Sequence, residues 1–187
     1  RGILAAGITK GMPSTGLFLP YSPLHQLLLQ AFDGPLVATS ANLSGEPVLT
    51  DNAEVETRLH EVCSAYLHHN REIVRPADDS VFNIIEGKAR PMRLGRGYSP
   101  YELTLPFKLS APILAVGGQM KNTIALAWEQ RMVISSHIGE LTSPRSLSVF
   151  ENAIADLQKL YEVDAAIIAC DAHPGYASHR WAKQQDV

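Results

Sequence analysis

The chain has 187 residues, 45% of them hydrophobic and 19% charged, which excludes a disordered chain and allows a core without disulfides. Lys and Arg number 16 against 19 Asp and Glu, for a net charge of −3. That balance excludes a strongly basic nucleic-acid surface over the whole chain but leaves room for a local basic groove.

No apolar run approaches the ~18 residues of a membrane helix, and Arg1-Gly2-Ile3-Leu4 shows no signal-peptide pattern. Neither end has the look of a natural start or stop, so a piece of a longer protein is expected. Ser22 and Pro23 open a helical pattern carried by Leu24, Leu27, Leu28 and Ala31, and Asp33-Gly34-Pro35 stops it. Leu36 to Thr39 reads as a buried strand, and Ser40 to Pro47 as a loop of small polar residues. A helix is expected from about Ala53 to Cys63, with Val55, Leu59 and Val62 on one face. Val81 to Ile85 and Arg90 to Arg93 read as strands joined at Glu86-Gly87-Lys88.

Gly95 to Pro100, with Pro106, has the punctuation of a linker. Strands follow at Ile113 to Val116, Thr123 to Trp128 and Met132 to Ser136, the last two joined by Glu129-Gln130-Arg131. Leu147, Phe150, Ile154, Leu157 and Tyr161 step by three and four, so a helix is expected over Pro144 to Tyr161. Ala165 to Cys170 reads as a buried strand ending in Asp171. Both sides of the punctuated stretch mix helices and strands, which indicates an α/β fold on each. Cys63 and Cys170 belong to no C-x-x-C pair, and buried, reduced thiols are expected.

Five groups of residues carry chemistry. Ser40, Asn42 and Ser44 place hydroxyls and loop amides past the carboxyl end of a strand, a setting for phosphate oxygens but also for an ordinary capped loop. Arg71, Arg75, Asp78, Asp79 and Ser80 can hold a phosphate, a ribose or a metal, or form a surface ion-pair network. Arg90, Arg93 and Arg96 approach the linker, and alternation puts Arg90 and Arg93 on opposite faces unless the strand bulges. Gly117-Gly118-Gln119-Met120-Lys121-Asn122-Thr123 resembles a hairpin loop able to receive a phosphate, without Walker A spacing. Most histidines among His68, His69, His137, His173 and His179 fit structural roles, while Asp171 with His173 can reach a metal or substrate. No metal ligand set is assigned within the chain.

The order of these segments is more specific than any one of them. Thr39-Ser40-Ala41-Asn42-Leu43-Ser44-Gly45-Glu46-Pro47 is followed by His69-Asn70-Arg71-Glu72-Ile73-Val74, Asp78-Asp79-Ser80-Val81 and Arg96-Gly97-Tyr98. Gly118-x-x-Lys121-Asn122-Thr123, His137-Ile138-Gly139-Glu140-Leu141 and Asp171-Ala172-His173-Pro174-Gly175-Tyr176 complete the series. From about Gly16 to its end, the chain closely resembles the HypF family of hydrogenase-maturation carbamoyltransferases. That family joins an acylphosphatase-like domain, zinc fingers, a YrdC-like domain and a domain of the sugar kinase/Hsp70/actin (RNase H-like) superfamily.

The resemblance implies that residues 1–105 are the C-terminal part of a YrdC-like domain. Residues 106–187 are then the first strands and helix of the kinase-like carbamoyl-transfer domain. It implies an enzyme that makes carbamoyl adenylate from carbamoyl phosphate and ATP with Mg²⁺, and passes the carbamoyl group to the C-terminal cysteine of a HypE-type partner. Zinc belongs to parts of the family outside this chain, and a cytoplasmic location is implied. Ser40, Asn42, Ser44, Arg71, Ser80, Arg93 and Arg96 match or neighbour the nucleotide and phosphate contacts of the first domain. Lys121, Asn122 and Thr123 match the first phosphate loop of the second, and Asp171, His173 and Tyr176 a transfer-site segment. No residue is assigned as catalytic.

The sequence departs from the family pattern at Arg93-Leu94-Gly95-Arg96, where many members carry two adjacent arginines before R-G-Y. The His-rich run of the family does not occur within the 187 residues, so the chain alone is expected to be inactive. The alternatives are an O-carbamoyltransferase of antibiotic biosynthesis, a YrdC-like threonylcarbamoyl-adenylate synthase, or a double-stranded RNA-binding module.

Overall fold

The computed structural model describes residues 7–186, so the Arg1 to Leu4 segment and Val187 lie outside the described residues. The chain divides into two compact units, Arg1–Thr39 and Ser40–Val187. In the first, helix α1 (Pro23–Phe32) starts as expected, with Ser22 Oγ accepting from His25 N at 3.2 Å and Pro23 in the first turn. It stops at Asp33, whose φ of 55° turns the chain left-handed. Leu27 and Leu28 of α1 are exposed.

The buried strand expected at Leu36 to Thr39 is not there. The segment belongs to no strand, and Val37 is 79% exposed. An apolar run records a tendency to be covered, but a strand also needs a neighbour for its N–H and C=O groups. None of the described strands pairs with this run.

In the second unit, helix α2 (Asn52–Arg58) is capped by Asp51, whose carboxylate accepts from Glu54 N at 2.8 Å. It is shorter than the expected Ala53 to Cys63. The chain leaves it in a turn where Val62 N and Cys63 N both donate to Leu59 O at 2.9 Å. Leu59 is buried, but Val62 is turned out to solvent.

Strands β1 (Val81–Ile85) and β2 (Lys88–Arg93) form the expected antiparallel hairpin. Its turn residues, Glu86 and Gly87, both have positive φ, as a two-residue hairpin of primed type requires. The register slips between Val81 and Phe82, which face Arg93 and Pro91. This bulge overturns the expected opposition of Arg90 and Arg93. They face Asn83 and Val81, two residues apart on one strand, and so share a face.

The remaining strands form one sheet in the order β3-β6-β5-β4-β7. They are β3 (Tyr101–Thr104), β4 (Ile113–Ala115), β5 (Ala125–Trp128), β6 (Arg131–Ile134) and β7 (Ile167–Ala169). All neighbours are antiparallel except β4 and β7. The stretch expected to be a linker therefore supplies β3, which pairs with β6 from Tyr101↔Ile134 to Thr104↔Arg131. Glu102 fastens it, accepting from Tyr161 Oη at 2.9 Å and Arg131 Nη2 at 3.1 Å. Those two hydrogen bonds, Tyr161's first, hold the Glu102 carboxyl below its ordinary pKa.

Helix α3 (Pro144–Tyr161) has the expected bounds. It lays Phe150, Ile154 and Leu157 on Leu114, Val116, Ile124, Leu126 and Val133 of the sheet and its loops. Ser143 and Ser146 cap it reciprocally: Ser143 Oγ accepts from Ser146 N and Ser146 Oγ from Ser143 N, both at 3.1 Å. Ser143→Ala is expected to lower the unfolding free energy by about 0.5–2 kcal/mol in urea titrations; an unchanged midpoint would count against this cap.

β7 lies at the sheet edge with Ile167 45% exposed, not buried as expected. Cys170, just beyond it, is exposed and Cys63 half-buried, so neither thiol is enclosed as expected. Helix α4 (Ala177–Ala182) is too short to leave a periodic signal. Among the described residues no helix is long and apolar enough to cross a membrane.

Candidate functional site

The loop after Thr39 is shaped by Asn42. Its Nδ2 donates to Leu43 O at 2.9 Å and Glu46 O at 3.0 Å, while Leu49 N closes the base on Ala41 O at 2.9 Å. Ser40, Asn42, Gly45, Glu46 and Pro47 form one wall of an open pocket of about 200 Å³. Asp78 and Arg93 form a second wall, and residues 137–140 a third. This volume lies below the roughly 300–1,000 Å³ typical of small-molecule sites.

Asp78 is the electrostatic centre. Its Oδ2 lies 3.4 Å from Arg93 Nη1 and 3.8 Å from His137 Nε2. Arg93 Nε also donates to Asp79 O at 3.1 Å. His137 is anchored by its backbone N–H on Leu94 O at 2.8 Å, and its ring is largely buried. Burial lowers its pKa below the ordinary histidine value, and the nearby Asp78 carboxylate opposes that shift. Glu46 is paired with Arg58 at 2.7 Å, and Arg58 with Glu54 at 3.3 Å. Glu54 also meets Arg145 of α3 at 2.5 Å, and these partners hold its carboxyl below the usual range.

The other expected contacts of the first segment fall into place differently. Ser80 Oγ accepts from Gly95 N at 3.0 Å and donates to Arg96 O at 3.1 Å, so it ties down the chain beside Arg93. Gly95 is required there, since a Cβ would sit 2.4 Å from Asp78 O. Arg96 donates to Ala77 O at 3.0 Å and lies 3.6 Å from Asp79. Ser44 and Arg71 are exposed and outside the pocket lining. Arg75 pairs with Asp156 of α3 at 2.8 Å.

A second cluster forms around Gly117 to Thr123. Asn122 is buried; its Nδ2 donates to Val116 O at 2.9 Å and Gly118 O at 2.6 Å, and its N–H to Gly139 O at 2.8 Å. It is the brace of the loop. Lys121 is exposed, and its backbone N–H donates to Glu140 Oε1 at 3.2 Å. Thr123 is half-buried. Gln119 bridges to the segment after β7, accepting from Ala177 N at 2.6 Å and donating to Leu141 O at 2.6 Å. A Cβ on Gly118 would lie 3.4 Å from Asp171 Oδ2, so loop and segment adjoin. His173 stacks on Tyr176 with ring centroids 4.4 Å apart.

Sequence reasoning missed His137, Glu46, Glu140 and Gln119 as site residues, and left Asp78 as an undecided carboxylate. His137-Ile138-Gly139-Glu140-Leu141 held the signal: it walls the pocket while its backbone supports the Gly117 to Thr123 loop. Ser40 and Arg93 have the chemistry for a phosphoryl group. Among the described residues no three His, Cys, Asp or Glu side chains converge to hold a metal.

The "Telomere recombination" family model, which covers Sua5-, YciO- and YrdC-type sequences, matches residues 1–95. The "HypF Kae1-like domain" model matches residues 108–187. The carbamoyltransferase HypF of Synechocystis sp. is 44% identical over 98% of this chain and 24% of its own length. That of Rhodobacter capsulatus is 38% identical over 96% of this chain and 24% of its own. A crystal structure of full-length HypF in a phosphate- and nucleotide-bound form superimposes with a TM-score of 0.86 at 39% identity. It covers 92% of this chain and 28% of that one. T. kodakarensis HypF gives a TM-score of 0.83 at 33% identity over 90% and 22%. The chain spans about a quarter of the length of the curated relatives it matches. With a YrdC-type segment followed by a Kae1-like one, in an α/β fold shared with solved HypF structures, the chain belongs to the HypF carbamoyltransferase family.

Proposed function

We propose that this chain supplies part of a carbamoyltransferase of hydrogenase maturation, with residues 1–105 serving adenylation and residues 106–187 serving transfer. The observation that carries this reading is the order of the two family segments in one chain. In the first step water cleaves carbamoyl phosphate, orthophosphate leaves, and an oxygen of the carbamate so formed attacks the α-phosphorus of ATP. An O–P bond forms, the α–β bridge breaks and pyrophosphate leaves. In the second step the thiolate of a C-terminal cysteine on a HypE-type partner attacks the carbamoyl carbon, and AMP leaves.

Within this scheme the chain positions and neutralises charge. Ser40 and Arg93 face the phosphoryl group in the pocket, and Asn42 holds the loop in shape. Asp78 holds Arg93 in place. Lys121 and the amides after Gly117 face phosphate at the second loop, with Asp171, His173 and Tyr176 beside it. Magnesium bound to the phosphates supplies further neutralisation of charge. Zinc belongs to regions of the family beyond these residues, and the setting is the cytoplasm. The chain's modest negative charge favours this reading over an RNA-binding module.

The test is carbamoyl-phosphate-dependent ATP–pyrophosphate exchange by a protein of its relatives' full length that carries this chain. Arg93→Ala removes one charge-assisted contact of about 1.5–3 kcal/mol, so exchange is expected to fall roughly ten- to a hundredfold. Unchanged exchange would overturn the role of Arg93. The 187-residue chain alone is expected to give no exchange, and robust exchange by it would overturn that division.

A further inference from the structure

The pocket between Ser40, Arg93 and residues 137–140 is poorly charged for a phosphoryl dianion. Glu46, Asp78 and Glu140 bring three carboxylates to it, and Arg93 is its single permanent cation. Arg58 offsets Glu46 at 2.7 Å from outside the lining, and Arg93 is already shared with Asp78. His137 is the remaining group that can gain positive charge, and it sits in the wall of the pocket.

We propose that His137 is an anion-binding residue of this pocket, taking up a proton when a phosphoryl group enters. The proposal rests on the reading of the pocket as a phosphoryl site, and deepens it. The groups facing the ring explain why the proton arrives with the ligand. Burial and the positive charges of Arg93 and Lys121 disfavour the imidazolium, while Asp78 and Glu140 favour it. Together they leave the empty-pocket ring with a pKa below its ordinary value. A dianion beside Nε2 adds a larger attraction and reverses the balance. Asp78, 3.8 Å from the ring, is then the positioning residue that receives the new charge as an ion pair.

The sign follows by linkage. Protonation is favoured in the bound state, so affinity rises as pH falls through the bound-state pKa and levels off below the free-state pKa. Each unit by which the ligand raises the pKa adds about tenfold to affinity. Sulfate is the suitable probe, because it stays a dianion over the whole range while phosphate titrates within it.

The experiment follows sulfate binding to the full chain by NMR and calorimetry between about pH 8 and pH 5.5, with Ser40 and Arg93 resonances reporting the pocket. Sulfate is expected to raise the His137 pKa, and affinity to increase about three- to tenfold towards acid. His137→Gln is expected to bind sulfate with little pH dependence. Identical His137 titration with and without sulfate would sink the proposal without any variant, and so would a pH dependence that persists in His137→Gln. Binding without proton uptake defeats this inference alone, whereas no sulfate at Ser40 and Arg93 defeats the phosphoryl reading as well.

Discussion

Replacing Phe150 with alanine is expected to lower the unfolding free energy of the second unit by about 3–5 kcal/mol. Its side chain is fully buried among the α3 and sheet residues and meets the Trp181 ring edge-to-face, with centroids 5.4 Å apart. The substitution removes that apolar contact and leaves a cavity that helix and sheet can close only partly. Whole-domain stabilities are about 5–15 kcal/mol, so much of the margin is lost. The chain's two tryptophans, Trp128 and Trp181, both pack on this core. Urea titration by tryptophan fluorescence therefore reports the right unit. A shift worth under about 1 kcal/mol would contradict the packing. Leu27→Ala on α1, where the side chain is 62% exposed, is expected to change stability by no more than about 0.5 kcal/mol.

That contrast shows which parts of the fold were legible. Phe150, Ile154 and Leu157 recur at helical spacing because one face of α3 docks on a sheet, so period and burial coincide. Leu36 to Thr39 is apolar yet exposed, and of the equally apolar Ile167 to Ala169 only Ile168 is half-buried against the core. Apolar composition does not say which neighbours a run has. β3 was masked by the glycines and prolines around it, although Tyr101 and Leu103 alternate as a strand should. The bulge opposite Val81 was invisible because it depends on how two strands meet.

The site divides in the same way. Ser40, Asn42 and Arg93 were legible from residue type, and all three line the pocket. Ser80 and Asn122 lie on the expected loops, but Ser80 Oγ and Asn122 Nδ2 are used on backbone partners. Residue type says what a side chain can bond to; only the fold says what is within reach. The contact of Asp78 with His137 joins segments matched by different family models. No local pattern could have paired them.

The second large effect is expected at Gly117, where a single methyl group meets two obstacles. Its φ of +64° is a conformation that side chains with a Cβ rarely adopt, at a cost of about 1–2 kcal/mol. The added Cβ would also lie 2.3 Å from Thr123 O and 2.9 Å from Asn122 Nδ2. Thr123 O is backbone and cannot swing aside. Asn122 is held by Val116 O and Gly118 O, and leaving a buried amide unpaired costs about 1–3 kcal/mol more. Gly117→Ala is therefore expected to destabilise the second unit by about 2–4 kcal/mol and to speed hydrogen exchange at Asn122 N–H. Gly118→Ala is the control, because its Cβ would meet only Asp171 Oδ2, at 3.4 Å, and its φ is not positive. It is expected to stay within about 0.5 kcal/mol of the parent. If both variants are equally stable, the loop is not braced as described. If only Gly117→Ala fails, its brace on Asn122 sets the shape that Lys121 and Thr123 present.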